Sequence, residues 1–394
     1  MDAAGMRETQ FCKKCSKREA TLTQRSEAVC RDCFVQYVAN KCIRHVAGIG
    51  KEVRPAEGQL SRRYLVALSL GTSSSVLLHI LNEYAESILA KDRREPFQLD
   101  VVYVDTSLSG PESSDEDHLR IEHVLGRYAE RYPRFKVQRV PLSTAVGLRM
   151  IDWSALPVLP SGIEPAEQLR SMFQRLPSTT SQADVLRLLV RHILVAKALE
   201  SSCQAVLYGH STTALAELTL AETAKGRGFS LPWQVGDGEV PIEQYGGNAD
   251  VDTQRTELGS TRHIRVHHPL RELFRKELET YAALTMPPVA DIIPAAGLKA
   301  ARPVVSYRDL SIEEVAKRYF QSVEENYPSV VANVVRTTAK LDRLEVADLC
   351  CICGMPLDEQ GDERWRGEIG DDTAQTQRAS RKSLCHGCQR SIYG

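Results

Sequence analysis

The chain has 394 residues, with 50 lysines and arginines against 51 aspartates and glutamates, so its overall charge singles out no class of partner. The length suffices for one large α/β unit with small appendages. No charged segment leading into an apolar stretch opens the sequence and no run of roughly 18 apolar residues occurs, which predicts a soluble, cytoplasmic protein without membrane association.

Four C-x-x-C pairs hold eight of the eleven cysteines. The first two, Cys12/Cys15 and Cys30/Cys33, are separated by 14 residues. Each C-x-x-C lets two thiolates reach one ion from a tight turn, and a second pair completes a closed, tetrahedral shell of the structural kind. In a reducing compartment such pairs point to metal rather than disulfide. Zinc is the expected ion, and residues 1–50 read as a zinc knuckle over which Phe34, Tyr37 and Val38 are expected to pack. Lys13, Lys14, Lys17, Arg18 and Arg25 surround this quartet. Basic metal knuckles can grip phosphate backbones, although surface lysines are usually just solvated.

Between the cysteine segments, residues 60–345 alternate strand and helix patterns. Arg63 to Ser69 is an apolar run ending in small residues. Ser74 to Leu89 then places Leu77, Leu78, Leu81, Tyr84 and Ile88 at helical spacing. Leu99 to Val104, Phe135 to Val140, Gln204 to Tyr208 and Arg262 to His267 read as further strands. The long helix Gln182 to Glu200 carries Arg187, Arg191 and Lys197 on its polar face, where Arg187 and Arg191, four residues apart, form a candidate phosphate clamp. Strands alternating with crossover helices predict a doubly wound parallel sheet, with the ligand site at the carboxyl ends of the strands. Polar, Gly- and Pro-rich stretches at 153–180 and 234–261 read as loops or insertions. Cys42 and Cys203 read as small buried hydrophobes. His267 and His268 have no acidic or cysteine partner at suitable spacing nearby and read as structural. Glu217 and Glu222, five apart, do not form an acid–base pair.

The segment 346–394 carries the second quartet, Cys350, Cys353, Cys385 and Cys388, with a loop of 31 residues between its pairs. Cys351 is an alternative ligand there, and Arg378, Arg381, Lys382 and Arg390 make this segment basic as well. Two zinc ions per chain are expected.

After the first strand of the central unit, Ser69, Gly71, Thr72, Ser73 and Ser74 offer N–H groups and hydroxyls at a helix N-terminus, a natural anion nest. This strand-loop-helix resembles the pyrophosphate loop, S-G-G-x-D-S, of the N-type ATP pyrophosphatases. The likeness extends to Tyr103-Val104-Asp105-Thr106, to Gly209-His210-Ser211-Thr212-Thr213-Ala214 beside the family's G-H-N-x-D-D, to Gly226-Arg227-Gly228, and to His268-Pro269-Leu270-Arg271. Leu70 stands where the first loop glycine belongs. Ser73, Ser211, Thr213 and Ala214 replace the loop Asp and the later Asn and Asp residues. Hydroxyls lack the charge that holds a hard cation, which argues against magnesium–ATP chemistry and for a vestigial loop.

The order of knuckle, hydroxyl-substituted pyrophosphate-loop unit and C-terminal cysteine pairs resembles the cytoplasmic tRNA 2-thiolation protein 2 family. The resemblance implies a subunit that pairs with a catalytic paralogue, cytoplasmic tRNA 2-thiolation protein 1, in placing sulfur on the wobble uridine of the tRNAs for Lys, Glu and Gln. It implies tRNA as a ligand and, indirectly, a ubiquitin-related sulfur carrier. It assigns no catalytic residue to this chain, leaving as alternatives a chain that adenylates uridine itself, with Asp105 or a residue of the partner as substitute carboxylate, and a zinc-stabilised scaffold without RNA contact. Lys13, Lys14, Arg187, Arg191, Arg381 and Lys382 are the candidate RNA contacts.

Overall fold

Runs of β-branched and aromatic residues form the strands of the chain, and clusters of glycine, serine and proline end them. The structure, a computed structural model, describes residues 10–55, 61–92, 94–108, 115–157, 162–245, 262–294, 310–344, 348–358 and 384–394. Arg381, Lys382 and residues 246–261 of the expected second insertion lie outside the described residues.

A short hairpin, β1 (Leu22–Gln24) and β2 (Glu27–Val29), leads into α1 (Arg31–Glu52). The central unit follows as β3 (Arg62–Ala67), α2 (Thr72–Asp92), β4 (Phe97–Asp105), α3 (Asp115–Arg131), β5 (Val137–Pro141), α4 (Pro165–Arg175), α5 (Thr179–Glu200), β6 (Ala205–Tyr208) and α6 (Thr212–Ala224). It continues through α7 (Leu231–Val235), β7 (Gly238–Ile242), β8 (Arg262–His267), α8 (Arg275–Leu284), α9 (Ile312–Asn326) and α10 (Pro328–Thr338). A last helix, α11 (His386–Tyr393), closes the chain.

The six-stranded sheet has the order β5-β4-β3-β6-β8-β7, and all neighbours pair in parallel except β7 against β8. The expected parallel sheet is therefore present with one antiparallel edge. From β3 the chain winds outward through β4 and β5, then returns to lay β6 on the other side of β3. That reversal places a crevice beyond the carboxyl ends of β3 and β6, where doubly wound sheets bind ligands.

Alternation along the strands divides the core in two. Tyr64, Val66, Val101 and Tyr103 pack on one face with α1, α2, α3 and α8, while Leu65, Val102 and Val104 pack on the other with α4 and α5. Phe34, Val38, Cys42, Val46 and Ile49 form a buried stripe along α1, in the core that also takes in Cys12 and Cys30. Cys350, Cys353 and Cys388 belong to the opposite core. The two cysteine segments thus lie on opposite faces of the sheet.

Two expectations change here. The stretch 153–180, read as a loop or an insertion, contains α4, whose Leu169 and Met172 are buried in the second core. Arg187 and Arg191 do not stand on a solvated face of α5, because the C-terminal segment and α6 cover it. Arg187 pairs with Glu222 at 2.8 Å, and Arg191 donates to the Cys353 carbonyl at 3.1 Å.

Candidate cysteine metal centres and nucleotide crevice

Both quartets are built alike, from a knuckle turn facing a helix N-terminus. In the first, Cys12 and Cys15 flank a turn closed by Ser16 N–H donating to the Cys12 carbonyl at 2.8 Å, with Ser16 in the left-handed region at φ 54°. Cys30 is the N-cap of α1 and Cys33 lies in its first turn. In the second, Gly354 N–H donates to the Cys350 carbonyl at 2.8 Å, Gly354 has φ 66°, and Cys385 is the N-cap of α11. A helix N-terminus favours thiolate over thiol, the form that binds metal.

Within each quartet the four sulfurs lie within 4.8 Å of one another. Four thiolates about 2.3 Å from a tetrahedral zinc stand about 3.8 Å apart. Cys15 and Cys30 are separated by 3.9 Å and Cys353 and Cys385 by 3.8 Å, so each quartet fits one ion. The quartets close separately, and Cys351 belongs to neither. Burial works against the Cys12 thiolate, but the N–H groups of Cys15, Cys30 and Lys14 outweigh it and bring the thiol down to about 6. Cys33 is pushed up to about 12 by burial and by the neighbouring sulfurs. A metal cation would resolve that conflict by stabilising all four thiolates together.

Beside the second quartet lies a buried charge network that no local sequence pattern announced. Asp184 on α5 receives Arg227 Nη2 at 2.5 Å, Arg227 Nη1 at 2.8 Å, Lys225 Nζ at 2.7 Å and the Ser391 hydroxyl at 2.6 Å. Lys225 also reaches Glu222 at 2.6 Å and Glu313 at 2.5 Å. Arg227 continues to Cys388 Sγ at 3.3 Å, joining α5, α6 and α11 through one guanidinium. Arg227 belongs to the Gly-Arg-Gly segment that the resemblance singled out, and its partners are 43 and 161 positions away in sequence, for Asp184 and Cys388 respectively.

The loop residues lie at the crevice between β3 and β6, where Ser69, Ser74 and Ser75 hydrogen-bond within the protein. Ser69 and Ser74 share a hydrogen bond of 3.0 Å, Ser74 and Ser75 donate to the Gly71 carbonyl at 3.1 and 2.8 Å, and Ser75 meets the Tyr128 hydroxyl at 2.5 Å. Thr72 and Ser73 are half-buried in the first turn of α2. Leu70 keeps the left-handed conformation, φ 60°, that its place in the loop demands, but its side chain is buried. Gly209 allows the second loop to close on the first: a Cβ there would stand 2.7 Å from Ser74 Cα. His210 stacks on Tyr208 at 5.4 Å between ring centres.

Of the positions where the pyrophosphatase pattern has Asn and two Asp residues, the first two carry the hydroxyls of Ser211 and Thr213, both with internal partners, and the third is Ala214. Ser211 caps α6 by accepting from Ala214 N–H at 3.1 Å, and Thr213 Oγ1 donates to Glu324 Oε2 at 2.5 Å. Asp105 is held by Arg139 at 2.6 Å and by the Ser107 hydroxyl at 2.6 Å. Burial alone would raise its carboxyl, and Ser107 and Arg139 together hold it below the ordinary range. Asp105 is therefore engaged rather than free to replace the missing carboxylates.

The profile described as cytoplasmic tRNA 2-thiolation protein 2 matches residues 311–390. A Phaeosphaeria nodorum protein of that name is 35% identical over 394 residues, covering 98% of this chain and 95% of the relative. The chain belongs to the cytoplasmic tRNA 2-thiolation protein 2 family. A second member, from Sclerotinia sclerotiorum, is 36% identical over 338 residues, covering 84% of this chain and 82% of its own. In fold the chain is similar to the U34-tRNA thiolase NcsA from Methanococcus maripaludis, with a TM-score of 0.54 and 16% identity over 87% of this chain and 95% of that one. That thiolase holds a 4Fe–4S cluster. This family member gathers no third group of cysteines at its crevice among the described residues, and Cys203, beside β6, is instead near Asp100 at 3.5 Å. No described helix is long and apolar enough to cross a membrane.

Proposed function

We propose that this chain is the non-catalytic subunit of a cytosolic complex that 2-thiolates the wobble uridine of the tRNAs for Lys, Glu and Gln. In that complex it binds tRNA and scaffolds a catalytic paralogue, cytoplasmic tRNA 2-thiolation protein 1, which receives sulfur from a ubiquitin-related carrier. The observation that carries this proposal is the state of the crevice. Ser73, Thr213 and Ala214 stand where the resemblance places magnesium-binding carboxylates, Ser211 and Thr213 are bound internally, and Asp105 is held by Arg139. A site so arranged has fold-level likeness to a thiolase without the charge that adenylation requires.

The sulfur spacing supports zinc in both quartets, since all four thiolates stand at the separation of ligands sharing one tetrahedral ion. The zinc ions would act as folding elements, with residues 1–50 and 346–394 flanking the central unit at 60–345. For RNA contact, Lys13 and Lys14 on the exposed knuckle remain available in sign and position, although Lys14 pairs with Glu27 at 2.5 Å. Arg381 and Lys382 are assigned the same role on charge alone. The test is thiolation of unmodified tRNA by this chain, by the paralogue and by the two together. Activity only from the combination is expected. Adenylation or thiolation by this chain alone would overturn the proposal, and failure of the chain to crosslink to tRNA within an active complex would leave a scaffold without RNA contact.

A further inference from the structure

The histidine that ends β8 stands, in three dimensions, beside partners that its sequence neighbourhood does not supply. His45 comes from α1, Asp237 from the turn before β7, and His267 from the last position of β8. A ring nitrogen of each histidine and a carboxylate oxygen of Asp237 lie within 4.8 Å of one another. His45 Nε2 is 3.0 Å from Asp237 Oδ2. His267 is 3% exposed, and its Nε2 is buried without a hydrogen-bond partner. A buried imidazole nitrogen left so is costly in a packed interior unless something occupies the space beside it.

We propose that His45, Asp237 and His267 form a third metal site, taking a single zinc-class divalent ion with two imidazoles, one carboxylate and a water in the fourth position. Donor chemistry supports that class: neutral imidazole with carboxylate suits zinc and its neighbours, whereas calcium and magnesium prefer all-oxygen shells. Scale supports it too. Nitrogen and oxygen ligands about 2.0–2.1 Å from a tetrahedral ion stand about 3.3 Å apart, near the 3.0 Å already separating His45 and Asp237. The side chains of His45 and Asp237 are 22% and 20% exposed, which leaves the fourth position open to water. On binding, His45 would present its Nε2 lone pair to the ion in place of its 3.0 Å contact with the carboxylate. Asp237 Oδ1 continues to accept from the His268 N–H at 2.8 Å, and Arg271 remains on Oδ2 at 2.8 Å, so the carboxylate is oriented beforehand by groups that the ion need not displace.

Such an ion would fasten α1 of the N-terminal segment to the outer β7/β8 pair of the sheet. It would be held by three protein ligands and be more labile than the closed four-thiolate shells. The test is metal content of the full chain after equilibration with buffered zinc, comparing the native protein with His45→Ala and Asp237→Asn. His45→Ala suits a position within the α1 helix, and Asp237→Asn preserves shape. Each variant should contain one equivalent less than the native chain, while cobalt substitution shows undiminished thiolate-to-cobalt charge transfer. Equal metal content in native and variant chains would overturn the proposal. So would a deficit accompanied by loss of the thiolate band, because the missing ion would then come from a cysteine quartet.

Discussion

Replacing Arg227 by Met removes the guanidinium from the buried network while keeping similar bulk. Three acids, Asp184, Glu222 and Glu313, face three bases, Arg187, Lys225 and Arg227, so the substitution leaves one net negative charge behind. Arg227 makes two bonds to Asp184, at 2.5 and 2.8 Å, and both side chains are 0% exposed. Breaking a buried pair by removing one partner costs about 3–5 kcal/mol, against a total stability of about 5–15 kcal/mol for a folded domain. Urea unfolding of the full chain, followed by far-ultraviolet circular dichroism, should show that loss at constant slope. Asp184→Asn should cost less in the Arg227→Met background than in the native chain, by at least about 1 kcal/mol of coupling. The acid limb should move as well. Burial favours a protonated Asp184, but Arg227, Arg187 and Lys225 hold its carboxyl below the ordinary range. A carboxyl depressed in the folded state adds stability that is complete above its unfolded pKa of about 3.9 and vanishes as pH falls through the lower folded value. The native chain should therefore lose this contribution below about pH 4, and Arg227→Met should have less of it to lose. A destabilisation under about 1 kcal/mol, or additive effects of the two substitutions, would refute the account of a mutually dependent buried network.

Cys30→Ser should remove one zinc and melt the knuckle, and because Cys12 and Cys30 belong to the same core as the Phe34, Val38 and Cys42 stripe it should expose that stripe; metal analysis with dye binding to apolar surface reads both effects, and a variant of full zinc content would contradict the ligand assignment. Ser73→Ala should leave thiolation by the assembled complex nearly unchanged, whereas a large fall in turnover with assembly preserved would restore a catalytic role to the loop. Lys13→Glu with Lys14→Glu should weaken tRNA binding by the complex and flatten its salt dependence by roughly 0.7–0.9 log units per log of salt for each lost contact. Filter binding over a salt series, with subunit association checked in parallel, measures this, and unchanged affinity and slope would remove the knuckle from the RNA surface.

The strands were legible because a parallel sheet buried on both faces writes itself as short apolar runs. Leu99 to Val104 is such a run and falls inside Phe97–Asp105, whereas Arg262 to His267, which coincides with β8, was legible instead from its alternation of Ile264 and Val266 with charged residues and histidine. β7 escaped notice because it is an edge strand of five residues containing Pro241, set in a stretch that reads as polar loop. α4 was hidden for a related reason, since its apolar stripe is brief and flanked by proline. The cysteine pairs announced their partners because tight-turn spacing is a local geometric requirement. Arg187 and Arg191 misled for the opposite reason: helical periodicity places charges on a common face but cannot say that α6 and the C-terminal segment will cover it. Likewise, nothing near His267 in sequence pointed to His45, which reaches it only through the packing of α1 on the sheet.

The bond between Thr213 and Glu324 has a historical implication. Suppose an ancestor held aspartate at this place in the crevice and lost it. With Glu324 now seated 2.5 Å from Thr213 Oγ1, the single reversal Thr213→Asp would bring two carboxyl groups together in a buried position, where one must take up a proton to tolerate the other. It would not yield a pair of charges ready for magnesium. Recovery would need Glu324 to withdraw in the same step, and Leu70 to give up its buried seat so that a phosphate could approach. On the proposed reading of a loop without magnesium chemistry, the way back would take more than one substitution at a time.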